Sequence, residues 1–153
     1  MVDIIAEKEL ALYNLEGKWN DYIGLQKEVL RVLRDERYFE ENEIVNTDSN
    51  MVIRITPKGI RETLGSGNRF QTLPKAFKTY KVASIKYLPE LIRTGNVIED
   101  DVANSHDEKG YHYAYIVNMI IIDGVKYGVR IAIRKKVAKN HFWIHNIDEI
   151  KKL

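Results

Sequence analysis

The chain has 153 residues, of which 44% are hydrophobic and 30% charged, so it can form the core of one domain. It has no cysteine, which excludes a disulfide framework, a thiol nucleophile and a cysteine zinc site. The sequence contains neither an apolar run long enough to span a bilayer nor a secretory signal pattern, so we expect no contact with a membrane.

Charge is distributed unevenly along the chain. Residues 1–50 carry 6 Lys/Arg and 12 Asp/Glu, a net of −6, whereas residues 51–153 carry 18 and 10, a net of +8, which together give the formal +2. The basic region favours contact with a polyanion, and solvated surface charge is the alternative explanation. The polar cluster 46–50 then predicts a boundary between an acidic helical segment, 1–46, and a second domain, 47–153.

The first two thirds of the chain predict helices and one short strand. Apolar residues from Trp19 to Leu33 recur near 3.6-residue spacing, which is typical of an amphipathic helix. Thr56-Pro57 is a helix start, and Pro89 forces a break or a kink in a later helix. The predicted segments are helices at about 3–15 and 19–38, a strand at 51–56, helices at 57–64 and 81–94, and an acidic loop at 99–108.

The last third of the chain predicts antiparallel strands. Two β-rich runs, 111–122 and 125–136, are joined by Asp123-Gly124, which is a strong signal for a two-residue hairpin turn. Residues 141–147 predict a third strand. The expected fold class is α+β, with N-terminal helices followed by a small antiparallel β-sheet of about four strands and with helices packed on one face.

The two-residue turn places Ile122 opposite Val125, and alternation then divides the hairpin into two faces. The predicted core face is apolar and comprises Ala114, Ile116, Ile120, Ile122, Val125, Tyr127, Val129, Ile131 and Ile133. The second face comprises Tyr111, Tyr113, Tyr115, Val117, Lys126, Arg130, Arg134 and Lys136. In a sheet with one buried side, this second face lies open or lines a cleft.

The third strand extends this pattern if its connection to the hairpin has an even number of residues. Arg134 then lies opposite His141, and Arg130 lies opposite His145. The side chains expected on the core face are Phe142 and Ile144, and those expected on the tyrosine and arginine face are His141, Trp143 and His145.

This second face has the residue types that cleave single-stranded RNA. Guanidinium groups bind phosphate with paired donors, aromatic rings stack on unpaired bases, and imidazole transfers protons near neutral pH. Ordinary β-propensity for the tyrosines and protection of an edge strand for the arginines are the structural alternatives.

A metal site is not expected. His141 and His145 are four residues apart, which on a strand is about 13 Å, too far to share one ion. The same separation argues against a simple acid–base pair across one phosphate. The sequence also contains neither a phosphate-binding loop nor a Gly-x-Ser-x-Gly nucleophile motif, and no cofactor is predicted.

Four motifs, taken in order, resemble a known family. They are Thr56-Pro-Lys-Gly-Ile-Arg-Glu-Thr63, Lys86-Tyr-Leu-Pro-Glu-Leu-Ile92, Asp123-Gly-Val-Lys-Tyr127 and Trp143-Ile-His145. Over residues 51–150 the chain resembles the barnase–EndoU–colicin–RelE-like (BECR) nuclease domains of phage polyvalent proteins and bacterial polymorphic toxins.

The resemblance implies a metal-independent ribonuclease that cleaves transfer RNA or other cellular RNA. It also implies a cognate immunity protein as partner, and action in the cytoplasm of the producing or target cell after delivery within a larger secreted or phage protein. The family's basic and histidine positions map to Lys58, Arg61 and His145. The chain departs from the family pattern at Glu62, where related domains often have histidine.

Two functional hypotheses follow. The first is an endoribonuclease that acts by attack of the 2′-hydroxyl, with His145 as acid or base. Its catalytic candidates are His145, Arg130, Arg134, Lys58 and Arg61, and its substrate-binding candidates are His141, Tyr113, Tyr115 and Trp143. The second is a non-catalytic RNA-binding or protein-docking module with a decayed site, which Glu62 and the wide separation of the two histidines favour.

Overall fold

The structure is a computed structural model that describes residues 1–41, 43–66, 68–103, 111–136 and 141–153. In chain order, the elements are β1 (Val2–Ile4), α1 (Ala6–Leu10), α2 (Tyr22–Asp35), β2 (Glu43–Val45), β3 (Val52–Arg54), α3 (Pro57–Arg61), α4 (Asn68–Thr72), α5 (Lys75–Ser84), α6 (Leu88–Thr94), β4 (Asn96–Ala103), β5 (Tyr111–Ile122), β6 (Val125–Lys136) and β7 (His141–Lys152). A wide helical turn, Glu62–Ser66, follows α3, and a 3₁₀ turn, Ile85–Tyr87, links α5 to α6.

The strands form one mixed, curled sheet rather than a small antiparallel one. Its order is β1-β5-β6-β7-β3-β2, and β4 also pairs with β5. β1 runs parallel to β5 and β3 runs parallel to β7, while the other pairs are antiparallel. The fold is α+β, but the prediction of about four antiparallel strands is wrong. The sequence pattern missed β1 and β2 because strands of three residues are too short to show a period.

The first 46 residues contribute to the same sheet and core as the rest. β1 pairs with residues 120–122 of β5, and β2 pairs with β3 across the turn that had suggested a domain boundary. Asn46 is fully buried in that turn, and its Nδ2 donates to the carbonyls of Ile92 and Gly95. The predicted boundary therefore falls inside the β2–β3 connection, where a buried amide binds the end of α6.

Helix predictions hold with changed bounds. The predicted helix at 19–38 is α2, which begins after Asp21, whose carboxylate accepts from the Gly24 N–H. The helix predicted at 81–94 is divided into α5 and α6, and Pro89 lies in the first turn of α6. The predicted helix at 3–15 is wrong at its start, because residues 2–4 are β1. Of the predicted acidic loop, residues 99–103 belong to β4 and 104–108 lie outside the described residues.

The β5–β6 hairpin is confirmed as predicted. Ile122 lies opposite Val125, and Asp123 and Gly124 have φ of 51° and 79°, as a two-residue turn with positive φ at both positions requires. The predicted core face is also confirmed. Eight of its side chains are buried in the core and the ninth, Val125, packs against it.

The register of β7 differs from the prediction. Lys136 lies opposite His141 and Arg134 lies opposite Trp143, because the connection has four residues rather than the assumed six. The number is still even, so each residue keeps its predicted face at this end of the strand. Further along, two β-bulges make His145 and Asp148 extra residues in the strand, and Arg130 lies opposite Glu149 instead of His145.

Packing against α3 and the turn after it holds β7 in this shape. A Cβ at Gly59 would lie 2.5 Å from Ile144 Cγ2, so α3 can approach the strand only with glycine there. The buried Thr63 hydroxyl accepts from the Ile147 N–H at 3.0 Å and donates to the Gly59 carbonyl at 2.9 Å. Between the two bulges, a side chain from the turn after α3 thus accepts the N–H of a β7 residue.

No helix among the described residues has the length and apolar character needed to cross a membrane.

Candidate nucleic-acid interface

The face of β5, β6 and β7 opposite the core is called the open face here. Five strands place one residue each in register across it: Tyr113 of β5, Arg134 of β6, Trp143 of β7, Arg54 of β3 and Glu43 of β2. We call these residues the cross-strand row. Paired strands are about 4.8 Å apart, so neighbouring side chains in the row touch or nearly touch.

Aromatic and cationic side chains interleave at the end of the open face nearest His141. The Arg134 guanidinium lies over the Tyr111 ring at 3.9 Å, and Lys136 Nζ lies 5.5 Å from the same ring. Trp143 contacts Tyr111 and His141 edge-on, at centroid distances of 6.0 and 6.4 Å. These cation–π and edge contacts order the side chains before any ligand arrives.

Arg130, four residues before Arg134 on the same strand and the same face, has different neighbours. Its Nε donates to Asp148 Oδ2 at 2.7 Å, its Nη2 donates to the same oxygen, and its guanidinium lies 5.1 Å from the Tyr115 ring centroid. The hydrogen bond to Asp148 raises the pKa of Arg130. Arg130 thus has a carboxylate partner on β7, whereas Arg134 stacks on Tyr111, so the two predicted catalytic arginines have different surroundings.

His145 lies on the open face, as predicted, at the first bulge of β7. Its ring is 5.3 Å from the Tyr113 ring and tilted by 75° to it, and the imidazole is half-buried. Tyr113 itself is only 4% exposed, so its ring supports His145 and offers little surface to a base. Tyr115 is half-buried, and its ring faces Arg130.

The open face continues into a groove between β3 and β7. This groove has a volume of about 280 Å³ and is lined by Arg54, Thr56, Lys58, His141 and Trp143. Lys58 is exposed at the start of α3 and lines this groove. Arg61 is exposed at the end of α3 and lines none of the grooves described here, and its carbonyl accepts from Gln26 Nε2.

Three residues at this site were missed by the sequence analysis. Arg54 and Glu43 were missed because β2 and β3 reach the open face through pairings that no local pattern shows. Asp148 was missed because the bulges were not anticipated. The sequence does contain a signal for the bulges. Ile144, Ile147 and Ile150 are all buried, but residues three apart point to opposite faces of a regular strand, so extra residues must lie between them.

Among the described residues, no group of three or more His, Cys, Asp or Glu side chains is placed to hold a metal ion. The site consists of aromatic rings, guanidinium and ammonium groups, imidazoles and the carboxylates of Glu43 and Asp148. These groups can bind an anionic chain, stack on flat rings and transfer protons.

Comparison with known proteins gives one match. The family model of large polyvalent protein-associated domain 3 matches residues 20–145 of the chain, from just before α2 to His145. No curated protein and no solved structure shows a significant match.

Proposed function

This chain belongs to the large polyvalent protein-associated domain 3 family, and on that premise we propose that it binds single-stranded RNA on the open face of its sheet. The cross-strand row carries the proposal, because it alternates aromatic and guanidinium groups across four paired strands. The net charge of +8 over residues 51–153 supplies long-range attraction for a polyanion.

An unpaired strand suits this face better than a duplex. Aromatic side chains stack on a base only when the base is not already stacked between its own neighbours. In this proposal Trp143 stacks on a base, while Arg134 and Lys58 bind the phosphates on either side of it. A duplex would offer its phosphates to the cations but no base to Trp143.

The test uses tryptophan fluorescence. Trp19 and Trp143 are the two tryptophans of the chain, and Trp19 packs against the core. A Trp19→Phe variant therefore reports on Trp143 alone. We expect single-stranded RNA to quench its emission, with affinity that falls as salt rises, and a duplex of the same sequence to quench it little. The matched control is Trp143→Phe, in which Trp19 should not respond. Quenching that is equal for duplex and single strand would contradict the proposal.

A second proposal is that the bound RNA is cleaved without a metal ion, as the BECR resemblance implies. It is favoured by His145, whose position at the bulge brings an imidazole onto the same face as Arg134. In this reaction a base removes the proton of a 2′-hydroxyl, and the resulting oxyanion attacks the adjacent phosphorus. An acid then protonates the departing 5′-oxygen, leaving a 2′,3′-cyclic phosphate and a 5′-hydroxyl.

This second proposal is tested with transfer RNA in EDTA, followed by mapping of the ends. We expect cyclic-phosphate ends with the unaltered protein and at least a hundredfold slower cleavage with His145→Ala. The control is His112→Ala, which should cleave normally because His112 alternates with Tyr111 and Tyr113 on β5 and so lies on the other face of the strand. If the protein binds the RNA but does not cut it, the cleavage proposal is wrong and the chain is a binding module. Cleavage would support a role as a phage- or toxin-associated effector, for which an immunity protein is the partner to seek.

A further inference from the structure

One end of the cross-strand row is suited to reading the identity of a base, and this inference rests on the proposed RNA binding. We infer that Glu43 and Arg54 form a guanine-recognition subsite at the β2–β3 end of the open face. The subsite lies beyond Trp143 and is formed by strands that the sequence analysis did not connect with the site.

The space for a base exists because β3 and β7 separate. Among the described residues their register contains one pair, Arg54 and Trp143, so the strands diverge on both sides of it. A groove lies on each side of Arg54. The first, of about 290 Å³, is lined by Glu43, Asn50, Val52, Arg54, His141 and Phe142. The second is the 280 Å³ groove that contains Lys58. Both are near the roughly 300 Å³ lower bound of small-molecule sites, which suits one planar ring system.

The first groove combines apolar walls with one carboxylate. Val52 is exposed on the groove side of β3, and Phe142 packs against the core at its base. Glu43 Oε1 accepts from Arg54 Nη2 at 3.1 Å, and the side chains of both residues are 54% exposed. The ion pair thus orients the carboxylate while leaving it accessible to a ligand.

A fixed carboxylate distinguishes the four bases by their donors. The Watson–Crick edge of guanine presents two adjacent donors, N1–H and the N2 amino group, which both oxygens of a carboxylate can accept. Adenine presents the N1 acceptor at that position, cytosine presents the N3 acceptor beside its amino group, and uracil presents N3–H alone. The Arg54 guanidinium can in turn donate to guanine O6.

The second groove completes a nucleotide-sized site. With the base beside Glu43, the sugar crosses Arg54 and the phosphate reaches Lys58 and the Thr56 hydroxyl. His141 borders both grooves, so its ring can contact the sugar from either side. The two predicted residues Lys58 and His141 thereby acquire roles in binding one nucleotide.

The experiment compares RNA oligonucleotides that differ at one position. In an oligouridine background, a single guanosine, inosine, adenosine or uridine is introduced, and affinity is measured by fluorescence anisotropy at one salt concentration. We expect guanosine to bind about tenfold more tightly than adenosine, with inosine in between because it lacks the N2 amino group. Glu43→Gln should reduce the guanosine-to-adenosine ratio to within about twofold. Loss of the negative charge acts alike on all four oligonucleotides, so the ratio and not the absolute affinity is the readout.

The matched control is Glu90→Gln. Glu90 forms a similar exposed ion pair, with Arg93 at 2.7 Å on α6, away from the open face. This variant should keep the full guanosine preference. Circular dichroism melting of both variants would show that neither change unfolds the protein.

The outcomes separate this inference from the proposed function. Tight binding of oligouridine with no preference among the four oligonucleotides would overturn the guanine subsite and leave RNA binding intact. A guanosine preference that survives in Glu43→Gln would also overturn it. No binding of any oligonucleotide would overturn both.

Discussion

Arg130 and Arg134 are four residues apart on the same strand and the same face, yet their surroundings differ. Arg134 is stacked on Tyr111 and lies opposite Trp143. Arg130 donates two hydrogen bonds to Asp148. The difference arises in β7, where the second bulge inserts Asp148 beside Arg130. Residue type and strand parity therefore place a cation on a face, but the neighbouring strand decides which groups the cation contacts there.

The position of Asp148 beside Arg130 depends on the bulges of β7, which a hydrogen bond to Thr63 supports. Thr63→Val keeps the shape of the side chain and removes the hydroxyl that accepts from the buried Ile147 N–H. We expect a loss of about 2 kcal/mol in the free energy of unfolding, because a buried donor is left without its partner. Urea denaturation measures it, and Thr63→Ser, which keeps the hydroxyl, is the control. A Thr63→Val change below about 0.5 kcal/mol would mean that the bond contributes little to the strand.

Removing Arg134 and removing Arg130 should weaken RNA binding to different extents. Arg134→Ala should weaken binding of single-stranded RNA about tenfold, because it removes a phosphate contact and the partner of Tyr111. Arg130→Ala should weaken it less than twofold, since its charge is already neutralised by Asp148. Fluorescence anisotropy at constant salt measures both, with Arg93→Ala on α6 as control. If both variants lose the same affinity for single-stranded RNA, the hydrogen bonds of Arg130 to Asp148 do not affect its contribution to binding.

The smallest effect expected is a gain. Asp148→Asn keeps the size of the side chain but removes the charge that holds Arg130, so single-stranded RNA should bind about threefold more tightly. Glu149→Gln, next in the chain, also removes one negative charge but leaves the Arg130–Asp148 hydrogen bonds in place. If both variants raise the affinity equally, the gain reflects net charge and not the release of Arg130.

Much of the open face was accessible from the sequence because it depends on local rules. Asp123-Gly124 sets the turn, the turn sets the register of β5 and β6, and alternation then assigns Tyr111, Arg130 and Arg134 to one face. Trp143 was also assigned to the correct face, although the register of β7 was wrong. Both the assumed and the observed connection to β7 have an even number of residues, so alternation gives the same face in either case.

The β5–β6 hairpin, its two faces and the aromatic and cationic character of one face can be predicted from the amino-acid sequence, because each follows from contacts between residues close in the chain. Three features depend on the folded chain as a whole: the parallel pairing of β1 with β5 and of β3 with β7, the position of Arg54 and Glu43 beside Trp143, and the bulges that place His145 and Asp148. Those features depend on packing between distant segments, such as Gly59 on Ile144 and Thr63 on Ile147, for which no local period carries a signal.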